Sequence, residues 1–234
     1  MKKKNRILIY SLIVMGFIFT FTHSCKKDEK NNDPITTPTS VTDIDGNIYH
    51  TVTIGTQVWM VENLKVTKYR NGDPIPNISD ATAWSNLTTG AYCNYNNDAN
   101  NLTTYGRLYH WYAVNDSRNI APAGWHVPSD TELTTLLTYL GGVNIAGGKL
   151  KETGITHWNT PNEGATNQTG FTAVPGGYRI AGGTCNYMGS HGYWWCSTVS
   201  GTNGLYMRMY FGDTFVFQDG SVKKTGFSVR CLKD

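Results

Sequence analysis

Pro122-Ala-Gly-Trp-His-Val-Pro-Ser-Asp-Thr-Glu-Leu133 is the stretch on which the reading of the fold turns. Ser129 and Glu132 have the Ser-x-x-Glu spacing of a capping box. The serine oxygen takes an orphan amide at a helix start, and the glutamate reaches back to the serine's own amide. Leu133, Leu136, Leu137 and Leu140 follow at i, i+3, i+4 and i+7, one apolar face, and Gly141-Gly142 stops the helix. The spacing predicts one main helix over about 129–140. Ahead of it, Pro128 keeps Val127 extended, so Gly124–Pro128 reads as a short extended approach. No other stretch declares a helix of ordinary length.

Outward from that helix the chain is written in strands and turns. Asp45-Gly46 is a tight-turn dipeptide between a short strand and the β-branched run Asn47–Ile54. Gly55-Thr56 turns the chain again, and Gln57–Val61, with Trp59, is the return strand. Ser79-Asp80-Ala-Thr-Ala-Trp84 reads as a short capped helix. Tyr105–Val114 is apolar and aromatic but too short for periodicity to choose helix or strand. From Gly141 onward, Gly147-Gly148, Gly176-Gly177 and Gly182-Gly183 predict mostly turns and long loops. Leu205, Met207, Met209 and Phe211 alternate with Tyr206, Arg208 and Tyr210, the pattern of a half-buried strand. Turns at Gly212-Asp213 and Asp219-Gly220 are expected next, then Gly226–Leu232 as the closing strand. The class is α+β: a twisted, mostly antiparallel sheet with one main helix and long Gly-rich loops.

The N-terminus reads as a targeting segment rather than fold. Lys2, Lys3, Lys4 and Arg6 precede an apolar run from Ile7 to Thr22, and Ser24-Cys25 closes it. Residues 1–24 are expected to be a bacterial lipoprotein signal, with Cys25 lipidated and the membrane reached through that lipid. The run is about 16 residues, short of the ~20 a spanning helix needs, so an uncleaved anchor is the weaker reading. Residues 25–40, polar and proline-containing, form a flexible tether, and the domain occupies 41–234. Removing the signal's four basic residues leaves 16 Lys and Arg against 17 Asp and Glu, a net charge of −1. The basic pI therefore belongs to the signal, and a nucleic-acid partner has no electrostatic support.

Motifs for known chemistry are missing. The six histidines form no His-x-His or His-Glu-x-x-His arrangement, and there is no Gly-x-Ser-x-Gly elbow or phosphate loop. His126, between Trp125 and Val127, reads as a hydrogen-bonded packing residue. Glu132 is explained by capping, and pairing Glu62, Glu152 or Glu163 as a glycosidase acid and base has no basis in spacing. No catalytic residue is assigned and no reaction is specified. Beyond Cys25, four cysteines remain: Cys93, Cys185, Cys196 and Cys231. In an exported chain an even count suggests disulfides, with three connectivities open.

Two stretches could hold a ligand. The Asn94–Asn101 loop, with Asn94, Asn96 and Asp98, concentrates oxygens of the kind that bind calcium, though asparagine-rich turns also form for backbone reasons. No other cofactor is implied. Tyr193, Trp194 and Trp195, with Tyr187 nearby, offer aromatic faces suited to stacking on sugar rings. Their bland alternative is core packing. One of the two tryptophans, as strand neighbours, should face away from the core, and Trp194 is the expected binder.

Several of these segments together resemble a known family. Asp43-Ile-Asp-Gly-Asn47, Trp59-Met-Val-Glu-Asn-Leu64, Gly90-Ala-Tyr-Cys93 and Tyr95-Asn-Asn-Asp98 are similar to motifs of the Fibrobacter succinogenes major paralogous domain. So are Gly124-Trp-His-Val-Pro128, Ala146-Gly-Gly-Lys-Leu-Lys-Glu152, Pro175-Gly-Gly-Tyr-Arg179, Gly192-Tyr-Trp-Trp195 and Gly226-Phe-Ser-Val-Arg-Cys231. The family comprises secreted or surface lipoproteins of Fibrobacter and Bacteroidetes with no settled activity. The resemblance implies a C-type-lectin-like fold, distantly similar also to formylglycine-generating enzymes. The cysteines here lack the copper-binding spacing of those enzymes. Ala121-Pro122 stands where the family has Cys-Pro, and Cys196 replaces a serine. On that comparison Cys185–Cys196 is the expected local disulfide, contributing about 2–3 kcal/mol, with Cys93 and Cys231 left to pair. The implied function is a lipid-anchored outer-membrane module that binds or adheres, to glycans or a surface protein. Its rivals are a ligand-free structural coat protein and an enzyme of unknown chemistry.

Overall fold

The computed structural model describes residues 39–234. The expected signal, Cys25 and nearly all of the expected tether lie outside the described residues. In chain order the strands are β1 (Ser40–Thr42), β2 (Ile48–Ile54), β3 (Gln57–Met60), β4 (Tyr92–Cys93), β5 (Leu108–His110), β6 (Trp125–His126), β7 (Gly176–Arg179), β8 (Cys185–Met188), β9 (His191–Ser200), β10 (Asn203–Tyr210), β11 (Val216–Val222), β12 (Gly226–Phe227) and β13 (Leu232–Lys233). The helices are α1 (Ala81–Asn86), α2 (Leu102–Tyr105), α3 (Trp111–Val114), α4 (Asp130–Tyr139) and α5 (Val143–Leu150). One sheet runs β1-β2-β3-β13-β6, and a larger one runs β11-β10-β9-β7-β12-β5-β4 with β8 added on β7. The pairings between strands are antiparallel except β7 with β9, which meet in parallel at Gly177 and Gly192. The class is α+β, rich in sheet.

The capping box forms as its spacing requires. Ser129 Oγ accepts from the Glu132 amide at 3.3 Å, and Glu132 Oε2 accepts from the Ser129 amide at 2.8 Å. Leu133, Leu136, Leu137 and Leu140 are buried against Ile54, Trp59, Trp158, Trp194 and Met207 in one core cluster. Each such leucine contributes roughly 1.5–3 kcal/mol of burial, set against the entropy of ordering it. Gly141 and Gly142 end the helix at φ 94° and 100°. A second cluster joins Tyr49, Met60, Tyr109, Trp111, Trp195, Phe227 and Val229 on the other side of the large sheet. Asp80 caps α1 through a 2.7 Å bond from the Ala83 amide. The undecided stretch Tyr105–Val114 divides, giving β5 and then α3.

Four expectations are corrected. Gly176 and Gly177 open strand β7 rather than forming a turn, Gly176 pairing with Met188 and Gly177 with Gly192. Gly147 and Gly148 lie inside α5, not in a turn, because the helix packs directly on backbone. A Cβ on Gly147 would stand 2.7 Å from the carbonyl oxygens of Thr214 and Phe215, and one on Gly148 would stand 2.5 Å from that of Gly164. Asp219-Gly220 is strand rather than turn: Asp219 pairs with Tyr206 and Gly220 with Leu205. The closing strand is two strands in different sheets. β12 pairs β5 and β7, β13 pairs β3 and β6, and Ser228–Cys231 crosses between them, with Val229 and Cys231 carbonyls accepting from the Leu64 and Met60 amides.

Candidate functional site

Strand alternation sorts the C-terminal half of the large sheet into two faces. On β10, Met207 and Met209 point into the core that holds α4, while Tyr206, Arg208 and Tyr210 point the other way and are half-buried. The register puts Trp195, Tyr193 and His191 of β9 opposite Tyr206, Arg208 and Tyr210, and places Asp219 and Phe217 of β11 beside Tyr206 and Arg208. The Trp195 end is roofed by the other strands, with Trp195 fully buried beside Tyr109 and Phe227. Towards His191 and Tyr210 the face opens.

Aromatic rings tile this face. The His191 ring lies 4.7 Å from Tyr210 and 4.9 Å from Tyr187, and Tyr187 stacks on Tyr178 at 5.8 Å. Tyr178 in turn meets Tyr193 at 4.8 Å, and Tyr193 lies parallel to Phe227 at 5.0 Å. Tyr187 is 54% exposed although its backbone sits at φ +66°, a conformation costly for a bulky residue. Arg208 stands among these rings, its guanidinium 4.4 Å over Phe217. Burial raises the Tyr193 phenol to about 12, with Arg208 pulling it partway back. His191 is held down at about 4, by burial first and then by Arg208. A polar cleft of about 350 Å³, lined by Asp130, Ser200, Asn203, Gln218 and Asp219, lies mainly on the other, α4 side of β10 and β11.

Of the sequence-predicted binders, Tyr187 lies on this face in the open and Tyr193 forms its buried floor. Trp194 does not belong to it. The ring turns into the opposite core, 2% exposed, with Nε1 donating to Asn63 Oδ1 at 2.8 Å. Both tryptophans are buried because this sheet is covered on each side at that point. Tyr206, Arg208 and Tyr210 were visible in the sequence as the outer half of an alternating strand. What the sequence lacked was the register joining them to His191 and Tyr178.

The asparagine loop is built as turns. Asn94 Oδ1 accepts from Arg107 Nη1 at 2.9 Å, Asn96 takes φ 52°, and Asp98 caps a 3₁₀ turn through a 2.9 Å bond from the Asn100 amide. The Asn94 oxygen faces the Arg107 guanidinium. Among the described residues no group of three or more His, Cys, Asp or Glu is placed to hold a metal.

Cys93, Cys185, Cys196 and Cys231 are free thiols. The Cys185–Cys196 pairing is corrected: Cys185 belongs to β8 on one edge of β7, while Cys196 lies on β9 at the other edge, in a different core. Two strand spacings separate those positions, about 10 Å, beyond what a disulfide spans. Cys93 and Cys231 likewise sit in separate clusters.

The segments that resembled a family supply the core. Trp59, Asn63, Tyr92, Cys93, Trp125, Lys151, Arg179, Trp194, Trp195, Phe227, Arg230 and Cys231 are all buried. Three of these are cations satisfied by uncharged oxygens, all main-chain except the Asn63 amide. Lys151 donates to the Glu163, Tyr210 and Asp213 carbonyls, Arg179 to those of Ile78, Ser79 and Gly183, and Arg230 to Phe171 O and Asn63 Oδ1. Paired in this way they lock loops rather than offer charge to a substrate.

Fold and face together define a sheet-rich α+β protein whose signature residues build mainly the interior, with Tyr178 and Tyr193 of that set reaching the aromatic face. The chain belongs to the Fibrobacter succinogenes major domain family, whose description matches residues 52–233. No curated protein and no solved structure matches it.

Proposed function

We propose that this protein is a binding module of the bacterial envelope that takes a saccharide on the face formed by β8, β7, β9 and β10, carried on a lipid attached at Cys25. The observation that carries the reading is Tyr187, held exposed at a costly backbone angle and stacked on Tyr178, at the edge of a continuous band of half-buried tyrosines. The C–H face of a pyranose is apolar and packs on such rings, and Arg208 among them supplies donors for sugar oxygens. The C-type-lectin-like arrangement implied by the resemblance is part of the same proposal.

The test is a glycan-array screen of the full-length chain in detergent, run with calcium and again with a chelator. Saturable binding to one glycan class is expected, weakened about 5–10-fold by Tyr187→Ala, as loss of one aromatic contact of ~1–1.5 kcal/mol predicts. Chelator sensitivity would bring the Asn94–Asn101 loop in as a calcium site. A blank array under both conditions would overturn the reading in favour of a protein partner or a structural coat. Lipidation is tested separately, by incorporation of an alkyne fatty acid that Cys25→Ala abolishes.

A further inference from the structure

The arginines of the described residues divide unequally. Arg70, Arg107, Arg118, Arg179 and Arg230 each donate to carbonyl, amide or carboxylate oxygens. Arg208 has no such acceptor, and its buried Nε lacks any hydrogen-bond partner. The neutral Tyr193 hydroxyl lies beside the guanidinium, which draws its pKa partway back down. A guanidinium brings five donors in a planar fork suited to an oxyanion, and leaving them unused in a half-buried site is unfavourable.

We infer that Arg208 is an anion-binding residue and that the ligand of the aromatic face is an acidic saccharide, its carboxylate or sulfate seated on the Arg208 fork. This rests on the saccharide reading above and gives its substrate class. Tyr206, Arg208 and Tyr210 alternate along β10, so each tyrosine stands about 7 Å from the arginine. At the open end that spacing lets a sugar ring rest on Tyr210 while a charged substituent at its edge reaches Arg208. His191 is uncharged at neutral pH, since burial and Arg208 hold it near 4, so Arg208 is the cation of the open end. The exposed carboxylate of Asp219 lies opposite Tyr206 and repels an anion there, orienting the charge towards Tyr210.

The experiment titrates the full-length chain in detergent with matched oligosaccharides: neutral galactose oligomers, galacturonic acid oligomers and sulfated galactose oligomers. The acidic forms are expected to bind at least 10-fold more tightly than the neutral ones, the preferred acid distinguishing carboxylate from sulfate. Arg208→Gln is expected to erase that preference while leaving weak neutral binding. Arg208→Lys keeps the charge without the fork and should retain part of it, which holds the test open if the glutamine variant unfolds. Equal affinity for neutral and acidic oligomers, with Tyr187→Ala still weakening both, would overturn the Arg208 assignment alone. An acid preference unchanged in both Arg208 variants would also overturn it. Absence of binding to every oligomer would overturn the saccharide reading with it.

Discussion

At the scale of single residues, His126 shows how a packing role can carry a pH signature. Its Nε2 faces Glu132 at 2.9 Å and its Nδ1 faces Asp234 at 2.6 Å, tying the start of α4 to the residue after β13. Burial pushes the imidazole down, but the two carboxylates outweigh it and raise its pKa above 6.5. The contribution is therefore whole below about 6.5 and is lost as pH rises through the raised value. Glu132 runs the other way. Burial raises it, yet the Ser129 amide and hydroxyl and then His126 bring it below 4.5, so its contribution holds above 4.5 and fades as pH falls. The cluster thus stabilises most between about 4.5 and 6.5. Urea midpoints measured from pH 4 to 8 should show His126→Gln removing the loss on the alkaline side; identical slopes in both proteins would refute the bridge. The thiols give a second prediction. Cys93, Cys196 and Cys231 are buried, and burial raises each pKa, to about 12 for Cys93, whereas Cys185 is half-buried. Iodoacetamide on the native protein should modify Cys185 first, read by peptide mass mapping. A Cys185–Cys196 linked peptide would restore the pairing the structure contradicts.

At the scale of elements, α4 and α5 fold for different reasons. The first is declared locally by its cap and leucine spacing, and Ser129→Ala should cost about 1 kcal/mol in chemical denaturation. The second breaks local preference, since Gly147 and Gly148 each disfavour helix by roughly 1 kcal/mol relative to alanine. They are tolerated because the helix meets the β10–β11 connection backbone to backbone, with the Gly147 amide donating to Thr214 O at 2.9 Å. Gly147→Ala should therefore destabilise by about 1–3 kcal/mol despite its better helix propensity. A stabilised variant would show that the packing yields. This is why the sequence showed α4 and hid α5. Capping and periodicity are local signals, whereas a glycine in a tight helix contact looks the same in sequence as a glycine in a turn.

At the scale of the whole molecule, the segment Gly226–Lys233 holds the architecture together by leaving one sheet and joining the other, and Arg230 anchors its crossing. The guanidinium is 1% exposed, donates to Asn63 and Phe171, and lies 4.2 Å over the Phe171 ring. Arg230→Met strands the Asn63 and Phe171 oxygens in the interior and should cost at least ~3 kcal/mol. Far-UV and tryptophan signals should fall together, because both cores border the crossing; a variant that loses only one signal would refute that linkage. The sequence by itself determined the α+β class, the main helix with its cap and stop, the β1–β3 meander, the alternation of β10 and the family. All of these rest on near-neighbour spacing. Only the tertiary structure decided which aromatics face solvent, that Trp194 is core, that Cys185 and Cys196 stand apart, and that the Arg208 Nε lacks a partner. Those depend on register and on what covers each face of a sheet, and residues far apart in the chain supply both.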